Sequence, residues 1–218
     1  MEKKENDSDW DKKLKIHTGG REDAHADIFH HPYEPTPYSV LQRLAESGYI
    51  TKENTVVDYG CGKGRVSLFL SHYVGCHAVG IEYDEGIYRQ AVQNLEESKL
   101  GNKVTFLCQK AEEYEVVDAD CFYFFNPFRV ELLCSVLSRI LDSYYANPRK
   151  MRLFFYYPDD EYLSYLLVRA ADRVDFVDEI DCSDLFEGEN ARERILIFEV
   201  GELDFATWDT KSCYNPKL

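Results

Sequence analysis

The chain has 218 residues, 44% hydrophobic and 14% aromatic, which is enough apolar material for one sizeable core and excludes a wholly disordered protein. Its 40 acidic residues against 25 basic ones give a formal net charge of −15, a field that repels a phosphate backbone and makes nucleic acid an unlikely partner. No apolar run reaches the roughly 18–20 residues of a membrane helix, and the opening MEKKENDSDWDKK lacks the apolar stretch of a cleaved signal, so no membrane partner is expected.

Residues 1–24 are charged and polar without periodicity, and they predict a flexible N-terminal segment ahead of a single domain over 25–218. The stretch 25–38 is crowded with aromatics, prolines and histidines, and within it Thr36 and Pro37 read as the cap and first position of a helix running towards Gly48. From residue 54 onward the signals alternate. Strands are expected at 55–58, 76–81, 103–108, 119–125 and 151–157, and helices at 64–73, from Asp84 to Gly101, at 130–144 and at 159–170. Two extended stretches, 174–180 and 195–200, close the chain, joined by a polar segment too short for a crossover helix. Alternation of this kind predicts a three-layer, doubly wound α/β fold with a mainly parallel sheet, and the closing pair must be antiparallel if its strands are neighbours.

Seven cysteines, at 61, 76, 108, 121, 134, 182 and 213, are odd in number, widely spaced and without a C-x-x-C pair. They point to reduced thiols and a cytoplasmic setting rather than a disulfide framework or a zinc site. His25, His30 and His31 lack an acidic ligand at helical spacing, so no metal is expected there either.

The most informative segment is Val56-Val57-Asp58-Tyr59-Gly60-Cys61-Gly62-Lys63-Gly64-Arg65, a strand leading into three glycines at alternate positions and then a helix. Such turns at the carboxyl ends of parallel strands form ligand crevices. Glu82, 18 residues after Gly64, ends the second strand and offers a carboxylate to the two hydroxyls of a ribose. A dinucleotide fingerprint G-x-G-x-x-G fails in both registers, because its third glycine would fall on Arg65 or Ser67. That spacing disfavours a nicotinamide oxidoreductase. An acidic Asp58 at the turn suits a cationic, phosphate-free ligand better than a phosphate.

The D-x-G-x-G-x-G pattern resembles the first motif of class I S-adenosylmethionine-dependent methyltransferases, and the resemblance covers residues 54–200. It implies a seven-stranded sheet with the last strand inserted antiparallel and S-adenosylmethionine as cofactor. It places Asp58, Gly60, Cys61, Gly62 and Gly64 at the methionine end, Glu82 on the ribose and Tyr83 against the adenine. After the third strand, Gln109-Lys110-Ala111-Glu112 matches the region that contacts the adenine amine, but Lys110 stands where an acid is usual. Either Glu112 or a backbone group must then make that contact.

The fourth strand ends in Asn126-Pro127-Phe128, similar to the Asn/Asp-Pro-Pro-aromatic tetrapeptide of amino-directed methyltransferases, with one proline fewer. The resemblance makes Asn126 a cofactor-facing and catalytic residue, with Pro127, Phe128 and Tyr157 against the substrate. The 25–38 stretch is expected to cover the cofactor, with Thr36 beside it and Tyr33 acting on the acceptor; Tyr33, His30, His31 or Glu34 would supply a base. Alternation makes one of Tyr156 and Tyr157 a core residue. The function expected is methyl transfer to a nitrogen or oxygen of a small molecule or protein side chain by a monomer or homodimer. The alternative is a non-catalytic, cofactor-binding partner subunit.

Overall fold

The computed structural model describes residues 7–20, 33–188 and 190–201. Within them the chain forms helix α1 (Asp7–Leu14), helix α2 (Tyr38–Glu46), strand β1 (Thr55–Tyr59), helix α3 (Arg65–Tyr73), strand β2 (His77–Glu82), helix α4 (Glu85–Ser98) and strand β3 (Val104–Cys108). Strand β4 (Cys121–Phe124), helix α5 (Val130–Ala146), strand β5 (Arg152–Tyr156), helix α6 (Asp160–Ser164), strand β6 (Val174–Asp181) and strand β7 (Arg194–Val200) complete it. The helix expected at 159–170 is α-helical only to Ser164 and continues as one π-helical turn, Tyr165–Arg169.

The seven strands lie in the order β3-β2-β1-β4-β5-β7-β6. The first five are parallel, and β7 slots between β5 and β6, antiparallel to both. The closing strands are neighbours and pair antiparallel, as expected of neighbours with no crossover helix between them. Side-chain alternation feeds two cores. On β5, Phe154 and Tyr156 join the core under α1–α4, while Leu153 and Phe155 join the one under α5 and α6. Tyr156, not Tyr157, is thus the core tyrosine of the pair.

The flexible lead-in expected over 1–24 is corrected by residues 7–20. Helix α1 buries Trp10 and Leu14, and Ile16 and Thr18 beyond it are buried too. Trp10 stacks on Tyr38 and meets Phe69 edge-on, with ring centroids 5.9 and 4.9 Å apart. Two apolar residues one turn apart suffice to dock so short a helix, and the packed body begins at least as early as Asp7. Helix α2 differs in detail: Pro37 occupies the cap position, and the Thr36 hydroxyl bonds the Tyr123 hydroxyl at 3.0 Å instead of capping.

Topology positions the site. The chain leaves β1 outward to β2 and β3, then returns to the other side of β1 for β4. The loops after β1 and β4 consequently diverge, and a crevice opens between them at the carboxyl ends of the strands.

Candidate active site

The glycine turn follows β1 directly. Gly60, Gly62 and Gly64 all have positive φ, at 71°, 55° and 86°, conformations that side-chain-bearing residues rarely adopt. Backbone N–H groups of Gly60 and Cys61 both donate to the Ile81 carbonyl at 2.9 and 3.0 Å, tying the turn to β2. Glu82 locks it from the side: one carboxylate oxygen accepts from Gly62 N at 3.0 Å and the other from Asp84 N at 2.9 Å.

The space left by the missing Cβ atoms is filled by the protein itself. A Cβ on Gly60 would meet Pro127 at 2.4 Å, one on Gly62 the Tyr33 ring at 2.1 Å, and one on Gly64 the Phe106 ring at 2.3 Å. Gly62 and Gly64, expected at the methionine end, are not among the lining residues; the rings of Tyr33 and Phe106 fill the space beside them.

The cleft encloses about 910 Å³ of space open to solvent. Its floor is Asp58, Tyr59, Gly60 and Cys61, with Arg65 and Val66 behind them. Glu82, Tyr83, Gln109 and Ala111 line one end. The other end lies between Tyr33–Thr36 and the β4 side, with Tyr123, Phe125, Asn126, Pro127 and Phe128. Glu112 is not a lining residue. It sits in a single 3-10 turn, where one carboxylate oxygen is buried without a hydrogen-bond partner among the described residues. Gln109 and Ala111 line the Glu82 end. Tyr157 is also outside the cleft, its hydroxyl accepting from Asn190 Nδ2 at 3.1 Å.

Burial dominates the electrostatics. Asp58 is 2% exposed and accepts from the Ser67 hydroxyl at 2.9 Å, yet desolvation lifts its carboxyl to about 7. Desolvation also raises Glu82, against the pull of the backbone N–H groups that hold it. The Cys61 thiol is pushed well up by the same burial, with both carboxylates adding to it.

Arg65, the residue after the last glycine of the turn, has the least expected role. It is 3% exposed. Its guanidinium donates to Thr18 Oγ1 at 2.7 Å, to Asp7 Oδ2 at 2.5 Å and to the Thr36 carbonyl at 3.1 Å. It lies over the Tyr38 ring, 4.4 Å from its centroid. One side chain thereby holds α1, the Thr18 segment and the 33–37 stretch against the cleft. The sequence signal was only its adjacency to the turn.

Two residues expected at the acceptor are committed elsewhere. The Tyr33 hydroxyl donates to the Thr18 carbonyl at 2.6 Å, and desolvation raises it above the ordinary tyrosine range. A neutral, bonded phenol is a poor base, so Tyr33 packs the glycine turn. Asn126 donates its amide N–H to the Tyr157 carbonyl at 2.7 Å and accepts from Asp159 N at 3.3 Å. A carbonyl on one side and an N–H on the other fix which way the amide points. Asn126 and Tyr157 have φ of 40° and 50°, so this bond ties two left-handed residues at the ends of β4 and β5. His25, His30 and His31 lie outside the described residues, among which no cluster of three metal-ligating side chains occurs.

A family model described as "Methyltransferase domain" matches residues 56–144, which contain the glycine turn, Glu82 and Asn126. The chain is 29% identical over 91 residues to a protein-lysine N-methyltransferase of Saccharolobus islandicus, covering 41% of this chain and 56% of that protein. It is 33% identical over 67 residues to a tRNA1(Val) (adenine(37)-N6)-methyltransferase of Mannheimia succiniciproducens, covering 30% and 26% respectively. The matched stretch thus spans about half of the first relative and a quarter of the second. A TehB-like SAM-dependent methyltransferase from Corynebacterium glutamicum shares the fold, with a TM-score of 0.53 at 16% identity over 82% of this chain and 91% of that one. Residues 56–144 thus match a methyltransferase domain, set in the seven-stranded, Rossmann-like sheet that this chain shares with that solved S-adenosylmethionine-dependent methyltransferase.

Proposed function

We propose that the protein transfers a methyl group from S-adenosylmethionine to a nitrogen or oxygen of a protein side chain or small molecule. The observation that carries this reading is one continuous cleft joining the glycine turn, Asp58 and Glu82 to the end of β4.

The residues present fit that cofactor. Each Glu82 oxygen accepts one backbone N–H and keeps a further lone pair for a ribose hydroxyl. Asp58, buried at the turn with the Glu82 carboxylate nearby, gains a counter-charge when a cation lies above it. Arg65, the only Lys or Arg among the described lining residues, donates to Asp7, Thr18 and Thr36, so among the described residues a phosphate would find no arginine turned toward it. Gln109 and the backbone at Ala111 are the groups we assign to the adenine, with Tyr83 beside them.

When bound, the sulfonium supplies an activated methyl. The protein's part is proximity and orientation. Pro127 packed on Gly60 sets the distance between the turn and the β4 end, and Phe128 is buried after it, with its ring against Phe124. Asn126 is a positioning residue here, holding the β4 and β5 ends together.

The test is calorimetry with S-adenosylmethionine and its demethylated product, followed by incubation with methyl-labelled cofactor and fractionated extract. Binding and labelled product are expected. Absence of binding would overturn the reading, and binding without product in any fraction would indicate a cofactor-binding subunit.

A further inference from the structure

Resting on the methyltransferase reading, we propose that the paired hydroxyls of Thr36 and Tyr123 bind the carboxylate of the cofactor's amino-acid tail. The two side chains reach the cleft from different walls, Thr36 from the stretch ahead of α2 and Tyr123 from β4. Their oxygens lie 3.0 Å apart, and either can be the donor. Two hydroxyls carry two hydrogens, and one bond joins them, so one hydrogen is left over whichever oxygen donates. Neither hydroxyl has a second partner among the described residues.

That leftover donor is costly where it stands. Thr36 is 2% and Tyr123 1% exposed, and a buried donor without an acceptor loses the bond it made to water. It also keeps its proton: burial, with the Asp58 charge adding to it, holds the Tyr123 phenol well above the ordinary tyrosine range against the pull of the Thr36 bond. The pair is therefore a neutral donor on the cleft wall, matched to an acceptor that a ligand brings.

The tail of the cofactor carries its ammonium and its carboxylate on one carbon. With the ammonium at Asp58, the carboxylate needs a donor beside Asp58, and Tyr123 is near enough to feel that residue's charge. Donors of the turn itself are committed. Gly60 N and Cys61 N donate to the Ile81 carbonyl, Gly64 N to the Cys61 carbonyl and Gly62 N to Glu82. The Arg65 guanidinium is turned to Asp7, Thr18 and the Thr36 carbonyl. Arg65 thus acts at one remove, as a positioning residue that fixes the backbone carrying the Thr36 hydroxyl. Hydrogen bonds to an ionised acceptor are roughly twice as strong as neutral ones, so the leftover hydrogen counts most when a carboxylate takes it.

The experiment measures calorimetric Kd values of the full chain for S-adenosylhomocysteine and for the same compound without its carboxylate. Wild type, Thr36→Val, Tyr123→Phe, the double variant and Thr36→Ser are compared, with the ligand-free Tm of each. The double variant should bind S-adenosylhomocysteine about ten- to hundredfold more weakly, with the other compound within about twofold of wild type. At least one single variant should show a several-fold loss confined to the carboxylate compound, and Thr36→Ser should match wild type. Ligand-free Tm of the double variant should be unchanged or higher, because both hydroxyls leave together and no donor stays unpaired. An equal loss for the two compounds would show that the hydroxyls shape the cleft without touching the carboxylate, and would overturn the proposal. So would an unchanged S-adenosylhomocysteine Kd in all three deletion variants. Both outcomes leave the methyltransferase reading intact, whereas a wild type that binds neither compound would overturn that reading.

Discussion

Replacing Asp58 with Asn should make the protein more stable and worse at holding its cofactor. Burial lifts the folded-state carboxyl from 3.8 to about 7, while in the unfolded chain it ionises at its ordinary value. The fold therefore holds this proton the more tightly. Asp58 favours folding fully below the unfolded value, and that contribution is lost as pH rises through about 7. Between pH 5 and pH 8 the loss is about 2–3 kcal/mol. Asn keeps the shape and still accepts from Ser67 but does not ionise. The stability gap between Asp58→Asn and wild type should thus widen by that amount from pH 5 to pH 8, or roughly 5–10 °C in Tm for a chain of this size. Calorimetric unfolding of the ligand-free proteins at the two pH values measures it. In parallel, S-adenosylmethionine should bind wild type more tightly as pH rises through about 7, and this dependence should flatten in the variant. Tm curves that run parallel with pH would refute the argument, since they would mean that Asp58 titrates normally in the fold.

Three further outcomes follow from the geometry. Gly62→Val places a side chain at φ 55° and into the Tyr33 ring; it should lower Tm and weaken cofactor binding tenfold or more, read by thermal shift and calorimetry. Asn126→Ala cuts the tie to Tyr157 and should reduce kcat while leaving the cofactor Kd near wild type, as steady-state kinetics would show. Trp10→Ala removes a buried ring from α1 and should cost about 3–5 kcal/mol, with limited proteolysis cutting first near α1 rather than in the sheet.

The sequence by itself determined the alternation of strands and helices, the glycine turn, the acid that ends β2 and the antiparallel pairing of the last two strands. These are short-range properties: periodicity, turn chemistry and a connection too short for a helix are all written within a few residues of where they act. Even there, Glu112, expected near the adenine, lies in a 3-10 turn and does not line the cleft, whereas Gln109 and Ala111 do. Only the tertiary structure decided what depends on distant partners. Arg65 finds Asp7, 58 residues away, and so turns an expected loose lead-in into a docked helix. Asn126 finds Tyr157, 31 residues away, and its amide becomes a brace between strands. Tyr33 settles on Gly62 and bonds Thr18, so its hydroxyl serves packing. In each case the residue type allowed several partners, and strand order and helix docking chose among them by bringing one within hydrogen-bond reach.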